Sequence, residues 1–110
     1  MARPVERQIV QRARALIANP QTWSQGEFAR DSFGEPVSWR SPKAVQFCIW
    51  GALNRAGREM ISDDRQRARL VGFAARALRG GTPSISRLND HATHGDVLAL
   101  IDGYLRQNAD

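Results

Sequence analysis

The chain has 110 residues, 42% hydrophobic and 25% charged, with 16 basic against 11 acidic residues for a formal net charge of +5. This length and composition suit one globular domain with its own core and exclude a chain disordered throughout. No apolar run is long enough to cross a bilayer, and a single cysteine, Cys48, excludes an internal disulfide and any zinc-finger spacing.

The basic residues are all Arg except Lys43. A positive balance favours acidic partners, and nucleic acid or an acidic protein is the expected class. The opening MARPVERQIV lacks the continuous apolar stretch of a secretory signal. With the skew towards Arg and Ala, this points to the cytoplasm of a bacterium or a phage-infected cell. No membrane association is expected. The oligomeric state is not legible.

Taken in chain order, the first element is a helix over about 4–18. Pro4 suits its first turn, where the missing N–H has no partner anyway. Val5, Ile9, Ala13, Leu16 and Ile17 recur on one face, and Asn19-Pro20 ends it. The next stretch, about 22–40, holds Gly26, Gly34 and Pro36 and loses the helical period; it reads as a small β-hairpin-like insert around Asp31-Ser32-Phe33-Gly34.

Ser41-Pro42 looks like a capped helix start, predicting a second helix over about 42–56. Ala44, Val45, Phe47, Cys48, Ile49, Trp50, Ala52 and Leu53 cover most of its circumference, as expected of a central helix surrounded by others. Gly51 there implies close approach of a neighbouring backbone, and Gly57 is a candidate stop. Ser62-Asp63-Asp64 opens a third helix over about 63–79, with Leu70, Phe73, Ala74, Ala77 and Leu78 as its buried stripe. After Gly80-Gly81, Ile85 and Leu88 anchor a loop. Thr93 then caps a fourth helix over about 94–106, with Asp96 completing a capping box and Val97, Leu100, Ile101, Tyr104 and Leu105 facing inward. The expected fold class is mainly α: a compact four-helix domain with a small β-hairpin-like insert between helices 1 and 2.

The series Trp23-x-x-Gly26, Ala29-Arg30-Asp31, Phe47-Cys48-x-x-Gly51-Ala52-Leu53 and Asn89-Asp90 ahead of Thr93 and Asp96 resembles a family of short uncharacterised bacterial and phage proteins, a domain of unknown function. The resemblance spans most of the chain. Leu88 stands where the family has Trp before the Asn-Asp pair. The resemblance implies no catalytic residue.

Two constellations stand out. On the third helix Arg65, Arg69, Arg76 and Arg79 fall within about 80° of arc, and Arg3, Arg7 and Arg14 make a narrower stripe on the first helix. Such faces neutralise phosphates, and Arg suits bidentate phosphate contacts. No aromatic residue is expected to interleave them, so a stacking platform is not indicated. The second constellation is polar. Trp23, Arg30 and Asp31 with Asn89, Asp90, His91 and His94 could converge on one pocket, or could simply pin the insert to the last loop. His91 and His94 with a neighbouring acid lack a recognised metal-ligand spacing, so no metal or cofactor is expected. Cys48 among Phe47, Ile49 and Trp50 reads as a small buried hydrophobe rather than a nucleophile. The expected function is a non-enzymatic interaction domain acting through its Arg faces. The alternative is a small-ligand or metal-dependent activity between the Asp31 turn and the Asn89–His94 loop.

Overall fold

A computed structural model describes residues 3–109; Met1, Ala2 and Asp110, which the expected single domain included, lie outside the described residues. The described chain is mainly helical. Helix α1 (Pro4–Leu16) leads through a 3-10 turn (Pro20–Thr22) to the short strands β1 (Ala29–Arg30) and β2 (Gln46–Phe47). Then follow α2 (Ile49–Met60), α3 (Asp64–Arg79), α4 (Ile85–His91) and α5 (His94–Gln107). The described residues thus form five helices, not the expected four, and one two-stranded antiparallel sheet.

Pro4 does open α1, and Ile9, Val10 and Ala13 are buried. Val5, expected inside, is 39% exposed, while Glu6 takes the buried position beside it. The reason lies on α5, whose Tyr104 hydroxyl donates to Glu6 Oε2. Burial, then the bond to Glu6, raises the Tyr104 pKa above its ordinary value of 10.0. A phenol raised in the fold contributes stability that is complete below about pH 10 and is lost as the pH climbs above it. Tyr104→Phe should therefore cost roughly 1–3 kcal/mol, because a buried carboxylate loses its hydroxyl donor. It should also flatten the alkaline limb of stability against pH; urea titrations from neutral to alkaline pH check both effects.

The largest departure from expectation is the start of the central helix. Ser41-Pro42 does form a turn, with Ala44 N donating to Ser41 O, but the chain does not continue as helix. Ala29 pairs with Phe47 and Arg30 with Gln46. Val45 N also donates to Arg30 O, and Cys48 N to Phe28 O. These extended pairings engage the amides of Val45 and Cys48, so α2 begins only at Ile49, with Cys48 as its cap and its sulfur accepting from Gly51 N at 3.4 Å. The insert is hairpin-like within itself only at a single bridge, Arg30 with Pro36, beyond the Gly34 turn at φ +81°. Its regular partner is the segment that the sequence assigns to helix 2.

Helix α2 is nevertheless the hub and packs against α1, α3 and α4. Ile49, Ala52, Leu53 and Ala56 are fully buried. Gly51 meets the expected close approach: a Cβ there would run into the Phe28 carbonyl. Gly57 is not a stop. It lies inside α2, where an added Cβ would come within 2.9 Å of Arg67 Cγ and 3.1 Å of Val71 Cγ2. That close approach turns α3 so that Arg67, Val71, Ala74, Ala75 and Leu78 face the core. Leu70 and Phe73 are only partly buried and Ala77 is exposed, correcting the expected stripe. Asp63 caps α3 by accepting from Gln66 N, and Gly80 ends it at φ +56°.

The expected loop after Gly81 is the additional helix, α4. Ser84 caps it by accepting from Arg87 N, and Ile85 and Asn89, one turn apart, are buried. The capping box at α5 forms in both directions between Thr93 and Asp96. No helix among the described residues is long and apolar enough to cross a membrane.

Candidate functional site

The polar constellation at the Asn-Asp motif is tied to backbone. Asn89 is completely buried. Its Oδ1 accepts from Trp23 Nε1 at 2.8 Å and from Ile49 N at 3.0 Å, and its Nδ2 donates to Ser24 O at 2.9 Å. One side chain thus joins the insert, the first turn of α2, and α4. Asp90 Oδ1 accepts from Gly26 N at 3.0 Å. Gln25 Nε2 donates to the carbonyls of Asn89, Asp90 and Ala92, closing the C-terminal end of α4.

Arg30 donates to Ser24 Oγ, Gly34 O and Gln25 O. Asp31 Oδ1 accepts from Phe33 N and Glu35 N, shaping its own turn. His94 donates from Nε2 to Ile17 O at 2.7 Å, with its ring 5.5 Å from that of Trp23. His91 is exposed in the last turn of α4. Among the described residues, no group of three or more His, Cys, Asp or Glu is placed to hold a metal ion. A small cavity of about 110 Å³ nearby is lined by Asp90, Glu27 and Cys48. Burial pushes the Cys48 thiol up to about 11, so it stays protonated at neutral pH.

The basic faces divide sharply. On α1, Arg14 grips Asp102 of α5 through two bonds, at 2.9 and 3.2 Å. Arg7 donates to Leu105 O, and Arg3 lies 3.8 Å from Glu6 with its guanidinium over the Phe73 ring. This stripe joins α1 to α5 and to α3 rather than facing outward freely. Other arginines are also engaged. Arg12 pairs with Glu59, while Arg40, Arg58 and Arg67 converge on Asp64. That cluster lowers the Asp64 pKa, chiefly through the Arg67 hydrogen bond. Arg55 holds the insert by donating to Trp39 O and Ser41 O.

The α3 face is different. Arg65 and Arg76 are exposed and have no hydrogen-bond or ion-pair partner among the described residues. Arg69 likewise has no hydrogen-bond or ion-pair partner among the described residues; its guanidinium lies 5.9 Å from the Phe73 ring centroid. Arg79 donates to Thr82 O at 2.8 Å.

Arg69, Arg76 and Arg79 line a groove of about 640 Å³ between α3, the start of α4 and the insert. Phe28, Trp50 and Phe73 line it with them. Phe28 is 49% exposed; its carbonyl is held against α2 by Cys48 N, which leaves the ring outside. Gly72, also in the groove wall, has nothing within 4 Å of where a Cβ would stand.

Aromatics therefore do share the Arg face, against the sequence expectation. Phe73 lies four residues after Arg69 and three before Arg76, a spacing that could have revealed it. It was hidden by assignment to the buried stripe. Phe28 and Trp50 arrive by tertiary folding and carry no local signal.

Nothing matches the chain among curated proteins or among solved structures. Residues 1–104 match the model of a family of unknown function, DUF6197, and the chain belongs to that family.

Proposed function

We propose that this chain is a non-enzymatic interaction domain that binds nucleic acid through the arginine face of α3. The carrying observation is where the unmatched charge sits. Among the described residues, most arginines elsewhere meet carboxylates or carbonyls, whereas three on the one α3 face, Arg65, Arg69 and Arg76, have neither; Arg87 on α4 and Arg106 on α5 also lack such a partner but stand singly on their helices. Ordering these side chains on phosphates releases counterions, so affinity should fall steeply with salt. Arg is also the side chain best matched to phosphate oxygens. A cytoplasmic bacterial or phage setting, where nucleic acid is abundant, fits this reading.

The test is charge reversal. Arg69→Glu with Arg76→Glu should abolish retention on a DNA column at moderate salt. Helix content by circular dichroism should not change, because neither side chain has a hydrogen-bond or ion-pair partner to lose. Retention equal to that of the unaltered chain would remove the proposal.

A further inference from the structure

Three features of the α3 groove point beyond a general affinity for phosphate. The first is aromatic surface left uncovered by the chain. Phe28 is about half-exposed and Trp50 half-buried, and both line the groove. Arg3 already covers the Phe73 ring at 4.3 Å, so Phe28 and Trp50 offer the free apolar surface. The second is charge: Arg69, Arg76 and Arg79 line the groove and no carboxylate does. The third is size. About 640 Å³ lies within the range of pockets that enclose an organic ligand of several rings.

These features select among polyanions. A duplex presents phosphates but hides its base faces in the stack, leaving the aromatic surface unused. An acidic peptide matches the guanidiniums but brings no planar rings. A single strand supplies unpaired bases and phosphates at regular spacing, the combination that stacking platforms and basic grooves take together. We infer that the groove takes a single-stranded segment of nucleic acid. An unpaired base lies against Phe28 and Trp50, and the flanking phosphates meet Arg69, Arg76 and Arg79. This rests on the function proposed above and adds strand selectivity to it.

Gly72 permits a clean test. It stands in the groove wall with open space beyond it, so Gly72→Leu fills the groove without disturbing the core. Leu also favours helix over Gly, so the melting temperature should not drop.

The measurement is anisotropy at fixed salt with three labelled probes: an oligothymidine, a hairpin duplex of equal phosphate count, and polyglutamate. The single strand should bind about tenfold or more tighter than the duplex, the scale set by stacking one base. Gly72→Leu and Phe28→Ala should each remove that advantage and leave duplex affinity in place. Binding of the single strand should quench tryptophan fluorescence, and Trp50→Phe should lose the quenching. Equal affinity for strand and duplex, with Gly72→Leu silent, overturns the inference while the proposed function stands. Polyglutamate binding as tightly as the single strand overturns it in favour of an acidic protein partner. No binding of either nucleic acid overturns the function and the inference together.

Discussion

Gly51→Ala should destabilise the chain by several kcal/mol, although Ala is the better helix former. The helix propensity gained is at most about 1 kcal/mol. Against it stands a collision with the Phe28 carbonyl, a backbone group that cannot swing aside as a side-chain tip can. Forced overpacking of this kind costs roughly 1–3 kcal/mol. Relief by moving residue 28 would break its hydrogen bond from the buried Cys48. That leaves a buried donor unpaired, a further cost of about 1–3 kcal/mol. Total domain stabilities are only about 5–15 kcal/mol, so most of the folded population is at risk. Urea unfolding followed by circular dichroism gives the midpoint. A midpoint at or above that of the unaltered chain would show that the approach of the two backbones is not what constrains this position.

Asn89→Ala should be comparably severe. It strands the Trp23 indole N–H and the Ile49 amide, both served by one oxygen, and removes the donor to Ser24 O. The site is fully buried, and each unsatisfied group costs on the order of 1–3 kcal/mol. The expected sum is therefore about 3 kcal/mol or more. Asn89→Asp separates the parts: it keeps the acceptor but loses the donor and buries a charge. It should be destabilised as well, while holding Trp23 in place. Thermal melting with the tryptophan emission maximum reads both effects. The alanine variant should melt earlier with red-shifted emission; if it melts with the parent, the bonds to Asn89 contribute nothing net.

What could be read from the sequence was whatever is decided locally. Pro4 at the start of α1, Gly80 after α3 and the Thr93–Asp96 box each act within a few residues, and each is where the sequence puts it. The need for a close backbone at Gly51 was also legible, because glycine inside a buried helix has few other justifications. The start of α2 was not. Ser41-Pro42 is a sound local signal, but the ladder between residues 28–30 and 45–48 overrides it, and that pairing is tertiary. Helix α4 is not legible because seven residues hold too little of the helical period. The α3 stripe was misplaced since alanines flank it on both sides and a buried arginine is unusual. Arg67 is tolerated because its guanidinium lies over the Trp39 ring and bonds Asp64. Of the groove, Arg69, Arg76, Arg79 and Phe73 lie within one helix and could be found by spacing. Phe28 and Trp50 could not, since the insert and α2 bring them there.

The shared acceptor on α4 also dictates an order of events during synthesis. The Ile49 amide waits for an oxygen 40 residues ahead of it, and the Trp23 indole for the same atom 66 residues ahead. A nascent chain that has already released α1, the insert and α2 from the ribosome still lacks the atom that locks them together. Completion of the chain's first half is set by the emergence of its last quarter.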